Sequence, residues 1–561
     1  MSSSGRLGLP LFPQTLQSRT LVGRLAATAG PAEQIPFADI APFLAGAGVA
    51  TYGSVALLRL NTAALSLVFL SGYYAAGDGG SGLLLFVPSD TTSADDGGTI
   101  FVDASGHRYY RVGISSFVTA EMFGAKGDGS TDDSAALNAA LTHPLRLLLS
   151  AKTYAIANTV RFQFSGQIIE GAGSGFQTQE GNTEVKWTGS SGGKMFSFRA
   201  SSSGAENSNC SVRDLMFDGN LLAGVGIEVY DNSDSAGGGN WRNSLYNVAI
   251  QNVTQGSGIG IELGHSNSSP NFANDFFMVG GGIYNCKTGA IGQGATENFY
   301  NATLLDNTTA AFSGLDGSMW NLHNVICVGN ETDFLHHNIQ LLSIAGGWYE
   351  NSVNGSITPA SGAANGNFSI AGAYLHTASS SYLINFGGVA GATSVTGCFC
   401  PGVSSSGLIY GINGGYAEAF TGNQGMVWGN TAPYISSAVN GLGDTVVGNS
   451  GNGQIISRSA LGVANNASLA VPLLSNNDTF SGIAYVLNVD AASGATRTAG
   501  AYLVTYFQGD NTNAQLLGSL VNGSSAACAF NIGFSGDQFN VKNVGGVVSN
   551  IFVTLVGTLG A

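Results

Sequence analysis

Between Val212 and Val389 the chain returns repeatedly to one short phrase: apolar, polar, apolar, one further residue, then usually Asn, Asp or Gly. It reads in Leu215-Met216-Phe217-Asp218-Gly219-Asn220, Val248-Ala249-Ile250-Gln251-Asn252, Gly281-Gly282-Ile283-Tyr284-Asn285 and Ala302-Thr303-Leu304-Leu305-Asp306-Asn307. It continues in Val325-Ile326-Cys327-Val328-Gly329-Asn330 and Gly346-Gly347-Trp348-Tyr349-Glu350-Asn351, with weaker copies at Gly372-Ala373-Tyr374 and Gly387-Gly388-Val389. The third residue of each copy serves as an inward anchor: Phe217, Ile250, Ile283, Leu304, Cys327, Trp348, Tyr374 and Val389. Their spacings are 33, 33, 21, 23, 21, 26 and 15 residues. A period of two inside each copy predicts strands, and a repeat of this length predicts a solenoid. Short strands with Gly and Asn corners fit an all-β fold, a parallel β-helix with loops at some corners. A β-sandwich with Gly-rich turns would not produce so regular a period. Asn220, Asn307, Asn330 and Asn351 fall three residues past an anchor, which predicts a ladder of amides at one corner. Asn suits a corner because it tolerates the left-handed region and bonds its own turn.

The flanks read differently. Residues 1–35 show no period and are expected to form a flexible arm. Residues 36–116 hold apolar runs such as Leu83 to Val87 and Thr99-Ile100-Phe101-Val102, separated by turn-dense loops, and predict a small β module. The uncharged stretch 40–58 fits a buried strand or helix better than a membrane span. Ala135 to Leu141 predicts a short helix, capped by Thr131 or Asp132, with Ala136, Leu137, Ala140 and Leu141 on one face and Pro144 beyond it. Such a helix would plug the open end of a solenoid. The first strands are expected at 145–149 and 153–156, and the solenoid over 117–440. Residues 441–561 alternate in longer strands and predict a C-terminal β-sandwich.

Composition narrows the class. The 561 residues exceed one core, and 44% hydrophobic residues with a positive mean hydropathy exclude disorder. Gly numbers 83, without a collagen period. A net charge of −15 argues against nucleic acid and against an anionic membrane. Cys210, Cys286, Cys327, Cys398, Cys400 and Cys528 have no zinc-like spacing and are expected to be free thiols of a protein folded in a reducing cytoplasm. The opening segment lacks the basic-then-apolar pattern of a secretion signal. No cofactor and no metal is implied: Asp128, Asp132 and Asp133 lack the Glu of a calcium loop, and the Gly-rich loop at 124–129 lacks a phosphate-binding ending.

The segment Phe123-Gly124-Ala125-Lys126-Gly127-Asp128-Gly129, followed by Asp132-Asp133 and Ala136-Leu137, resembles the opening motif of the pectate-lyase-like β-helix superfamily, in the version found in bacteriophage tailspike proteins. Upstream, Gly72-Tyr73-Tyr74, Gly77-Asp78-Gly79-Gly80 and Asp95-Asp96-Gly97-Gly98-Thr99 resemble a motif that precedes the β-helix in phage tail proteins. The resemblance covers residues 70–140. It implies a right-handed β-helix in a detergent-resistant homotrimeric spike of the virion. The N-terminal part would attach to the phage tail or baseplate, and the β-helix would bind or cut a bacterial surface polysaccharide. By the same analogy the C-terminal domain would trimerise or bind glycan.

Candidate chemistry lies between Lys287 and Arg458, where the chain has no Lys or Arg. β-Elimination on a polyuronate needs positive charge against the developing anion, whereas glycoside hydrolysis needs two carboxylates. A hydrolase is therefore favoured over a lyase, with a non-cleaving receptor-binding fibre as the further alternative. Asp306 and Glu350, each two residues past an anchor and two coils apart, are the leading catalytic pair, with Gly329 leaving a gap between them. Glu331 and Asp333 are expected in a loop overhanging the same spot. Tyr349, expected outward, together with Trp320, His323, Tyr300 and Asp316, makes the expected sugar-binding set. Trp348 is expected inside.

Overall fold

Runs of three to six residues are long enough to cross one face of a coil, and the glycine and asparagine that follow turn the chain onto the next face. The computed structural model describes residues 20–23, 33–36, 49–175, 182–199, 207–229, 240–264, 273–294, 296–360, 366–377, 384–389, 393–399, 409–412, 418–421, 446–449, 452–472, 479–490, 497–506, 514–518, 529–535 and 538–560. The chain divides into two compact units, residues 1–189 with 212–216, and residues 190–211 with 217–561.

In the second unit the coils stack as three parallel ladders. The first runs through Ser244–Tyr246, Phe276–Val279, Thr296–Tyr300, Met319–His323, Leu341–Ala345, Asn367–Ala371 and Thr393–Thr396. The second runs through Ala249–Gln251, Gly282–Tyr284, Thr303–Leu305, Ile326–Val328, Trp348–Ser352 and Tyr374–Thr377. The third runs through Val225–Glu228, Ile259–Glu262, Thr288–Gly292, Ala310–Gly314, Phe334–His336, Ile357–Pro359 and Ile384–Val389. This is the expected parallel β-helix.

The anchors Ile250, Ile283, Leu304 and Cys327 lie in register on the second ladder and are fully buried. At the next coil the expected phase is wrong by one residue. Trp348 pairs with Ile326 and is 43% exposed, while Tyr349 pairs with Cys327 and is 1% exposed. Likewise Leu375, not Tyr374, continues the buried column, and Val389 belongs to the third ladder. The cause is the pair Gly346-Gly347, both at positive φ. Glycines carry no side chain to mark a phase, and a slip of one residue exchanges the two faces of a strand.

The amide ladder is real but shorter than expected. Asn330 Oδ1 accepts from Asn307 N at 3.1 Å and from Asn307 Nδ2 at 2.9 Å, and Asn307 Oδ1 accepts from Cys286 N at 3.1 Å. These buried amides satisfy backbone groups that the turning chain cannot pair. Asn351 instead joins a left-handed corner column with Asn252, Asn285, Asp306 and Gly329.

Further along the same unit, Phe530–Ser535, Gln538–Asn543 and Ser468–Pro472 form a small antiparallel sheet. Phe539 and Val541 from it pack with Ala484, Val486, Ile551, Val553 and Leu555 from the long strands Thr479–Asp490 and Ser549–Gly560. Two layers around one core match the expected sandwich architecture. Residues 441–445, at its expected start, lie outside the described residues.

The first unit holds a five-stranded sheet in the order Ala50–Tyr52, Leu67–Leu70, Gly82–Phe86, Arg108–Arg111, Ile100–Val102. A short helix Val55–Arg59 follows the first strand, and Val55 and Leu58 join the core with Val68, Leu70, Leu84, Phe101 and Tyr109. The Asp-Gly turns work through their carboxylates. Asp78 accepts from the backbone N–H groups of Tyr73, Tyr74, Ala75 and Gly80. Asp96 accepts from the backbone N–H groups of Gly98, Thr99 and Ile100, and against the opposing effect of burial the His143 side chain, with these bonds, holds its pKa well below the usual range.

The expected helix forms at Ser134–Leu141, with Leu137, Ala140 and Leu141 buried, but its N-cap is Asp133, without a side-chain cap bond, rather than Thr131 or Asp132. Asp128–Asp132, expected as loop, is instead a strand paired parallel to Thr153–Ile156. Within 1–35, Thr20–Gly23 pairs antiparallel with Glu33–Pro36, and the rest of that stretch lies outside the described residues. Cys210, Cys286, Cys327 and Cys398 are buried free thiols, while Cys400 and Cys528 lie outside the described residues. Among the described residues no helix is long and apolar enough to cross a membrane.

Candidate functional site

The outward positions of the second ladder change character along the stack. Leu305 and Val328 are followed in register by Glu350, and Ile326 by Trp348 and Tyr374. Trp348 and Tyr374 stack face to face, centroids 3.8 Å apart at 10°, and Phe399 continues the row at 5.7 Å from Tyr374. Trp348 Nε1 donates to Glu350 Oε2 at 2.7 Å, which fixes this half-buried carboxylate on the outer wall. Burial and the Glu350 charge raise the Tyr374 pKa.

Asp306 is exposed, in the left-handed corner one position past Leu305, and its Oδ1 occupies the space that a Cβ on Gly329 would need. Glycine at 329 therefore makes room for the Asp306 carboxylate. Asp306 and Glu350 are two coils apart, roughly 10 Å between backbones. They are not at equivalent positions, because the one-residue slip puts Glu350 on the strand and Asp306 in the corner. Glu331 lies beyond that corner, where its Oε1 accepts from Asn354 Nδ2 at 2.8 Å.

Several expected site residues point the other way. Trp320 is fully buried, donates from Nε1 to Ser318 Oγ at 3.0 Å, and packs among Phe299, Phe312 and Phe334. It cannot touch a saccharide on the outer wall. Tyr349 is likewise inside, and the outward position expected for it is held by Trp348. Asp333 is not in an overhanging loop but fully buried. Asn330 Nδ2 donates to its Oδ1 at 3.3 Å, and burial outweighs this and the nearby Ser352 and Ser356 hydroxyls, pushing its pKa well above the usual range. Glu297, also fully buried, is pushed up by the same cause. In both acids burial favours the protonated form.

His336 is fully buried with Nε2 3.3 Å from Asn385 O, and burial lowers its pKa to about 4. The unfolded chain binds a proton there in the ordinary histidine range, so stability is lost as pH falls from about 6.5 towards 4. Buried Glu297 and Asp333 act with the opposite sign, favouring the fold at low pH. The difference in unfolding free energy between the native chain and His336→Gln isolates the histidine. It should shrink by about 3 kcal/mol from pH 7 to pH 4 in urea titrations. A constant difference would show that His336 is solvated.

On the outer face of the first ladder Tyr300 and His323 stack at 5.0 Å and 22°, both half-buried. Asp316 lies at a different corner, in the turn between the third and first ladders, with its Oδ1 2.7 Å from His337 Nδ1. The structure thus gathers Trp348, Tyr374, Glu350 and Asp306 on and beside one wall, sets Tyr300 and His323 on the neighbouring face, and separates Asp316 from them. Tyr374 and Phe399 were not among the expected binders. The signal was there in Trp348, Tyr374 and Phe399 at coil-length spacing, masked by the phase error. No group of three or more His, Cys, Asp or Glu residues among those described could hold a metal ion.

Two family models match the chain. Residues 51–113 match the phage tail protein small four-stranded β-sheet domain, and residues 117–334 match the rhamnogalacturonase A/epimerase, pectate lyase-like family. The chain thus joins a phage-tail β-domain to a pectate-lyase-like β-helix. No curated protein matches it by sequence. Among solved structures it is similar to the tailspike protein of Acinetobacter phage vB_ApiP_P1, at 14% identity over 91% of this chain and 99% of that one, TM-score 0.47. It is also similar to the enzymatically active domain of bacteriophage CBA120 tailspike protein 2, at 13% identity over 93% and 94%, TM-score 0.45. A third is Pantoea stewartii WceF, a glycan biofilm modifying enzyme, at 14% identity over 91% and 70%, TM-score 0.37.

Proposed function

We propose that this chain is a phage tailspike that binds and depolymerises a bacterial surface polysaccharide by glycosidic hydrolysis, with Asp306 and Glu350 as the acid–base pair. The observation that carries this reading is the outer wall itself: a tryptophan-fixed carboxylate beside outward stacked rings, in a stretch from 288 to 457 without Lys or Arg. One carboxyl group protonates the glycosidic oxygen as the bond to the anomeric carbon breaks. The other takes a proton from the water whose oxygen forms the new bond. An inverting pair stands about 6.5–9.5 Å apart, with the water between. Side chains reaching towards each other from backbones roughly 10 Å apart fit that range. Asp333, buried, has no part in it, and Glu331, tied to Asn354, borders the site.

The phage-tail match over 51–113 supports attachment to the tail through the N-terminal part, and assembly as a homotrimer on the virion completes the proposal. Incubation with capsular or exopolysaccharide should shorten the polymer and release reducing ends without the ultraviolet absorbance of an unsaturated sugar. Shortening with that absorbance would make the chain a lyase. Binding without shortening would make it a receptor-binding fibre.

A further inference from the structure

Over two successive coils the corner between the first and second ladders carries no residue larger than alanine. One coil passes through Ala345-Gly346-Gly347-Trp348 and the next through Ala371-Gly372-Ala373-Tyr374. In the column that carries Tyr300 and then His323, the next two outward residues are Ala345 and Ala371. Tyr300 covers one face of the His323 ring. Its strand lies between those of Tyr300 and Ala345, so the other face is turned towards the alanines. Across the corner, on the alanine coils, stand Trp348 and Tyr374. Those two rings cover each other's faces, so along this stretch they offer their edges and the phenol, the indole N–H being held by Glu350. A Cβ on Gly372 would meet nothing within 4 Å, so the step is open at that coil, while at the coil before it the Asn324 carboxamide borders Gly346. Ser343 and Ser369, two residues before the alanines, place hydroxyls on the same outer face.

We infer that this step is a sugar subsite: one neutral pyranose ring of the glycan rests on the free face of His323, over Ala345 and Ala371, against the edges of Trp348 and Tyr374. A ring face, a floor of alanine and glycine and a wall of aromatic edges suit a flat ring with apolar C–H faces and equatorial hydroxyls. The absence of Lys and Arg from 288 to 457, with Glu350 two residues beyond Trp348, selects against a uronate or sialate at this position. The inference rests on the proposed function and identifies the charge class of its substrate next to Glu350.

The test is binding of the full chain to an array of neutral, amino-sugar and uronic-acid bacterial oligosaccharides, with Ala371→Trp and His323→Ala compared to the native chain. Ala371 is exposed, so a tryptophan there fills the step without entering the core. Binding to neutral glycans should fall at least tenfold in both variants, with the thermal midpoint of Ala371→Trp unchanged. Neutral-glycan binding that survives filling the step would overturn the subsite and leave the proposed function standing. Binding confined to uronic-acid glycans would overturn the charge class. Binding to no glycan would remove the proposed function and the subsite together.

Discussion

Glu350→Gln and Asp306→Asn should each slow depolymerisation by about 10²–10⁴-fold while leaving the affinity for polysaccharide within a few-fold of native. The amide keeps the size of the carboxyl group but can neither give nor take the proton that bond cleavage requires. Neither residue supports the core, since Asp306 is exposed and Glu350 lies on the outer wall, so folding is not at stake. Glu331→Gln is the control: its partner Asn354 can still bond an amide, and less than a fivefold effect is expected. Trp348→Phe probes the link between the wall and the chemistry. It keeps a ring for Tyr374 but removes the N–H bonded to Glu350, so turnover should fall more than binding does. Undiminished cleavage by both carboxamide variants would take Asp306 and Glu350 out of the active site.

The repeat made the coil architecture legible because the inward residues are both apolar and periodic. Ile250, Ile283, Leu304 and Cys327 carry the same message in the sequence and in the structure. What was not legible was phase where glycine flanks aromatics. At Gly346-Gly347-Trp348-Tyr349 either ring could be the core residue by hydrophobicity, and the ladder settles it by pairing Tyr349 with Cys327. That single slip moved Tyr349 into the core, moved Trp348 onto the wall and displaced Glu350 from equivalence with Asp306. Buried ionisable groups were the second blind spot. Asp333 and Glu297 look like surface acids in a sequence because carboxylates are rarely buried. Here the closed interior of the solenoid buries both and raises their pKa values.

The second large effect is on stability, and it separates the two tryptophans. Trp320→Ala should cost about 3–5 kcal/mol of unfolding free energy, the range for emptying a large buried aromatic site. The ring lies parallel to Phe299 at 5.7 Å and edge-on to Phe312 and Phe334 at 5.5 Å each, so its loss opens a void between two ladders. It would also leave the Ser318 hydroxyl without the indole N–H that donates to it. Any loss of glycan binding should follow the fraction unfolded and recover at low temperature. Trp348→Ala should do the reverse. With 43% of its surface already in water, its removal should change the thermal midpoint little while weakening glycan binding at every temperature. A stable Trp320→Ala protein with selectively weakened glycan affinity would place Trp320 back on the sugar side of the wall, and the packing described for the interior would be wrong.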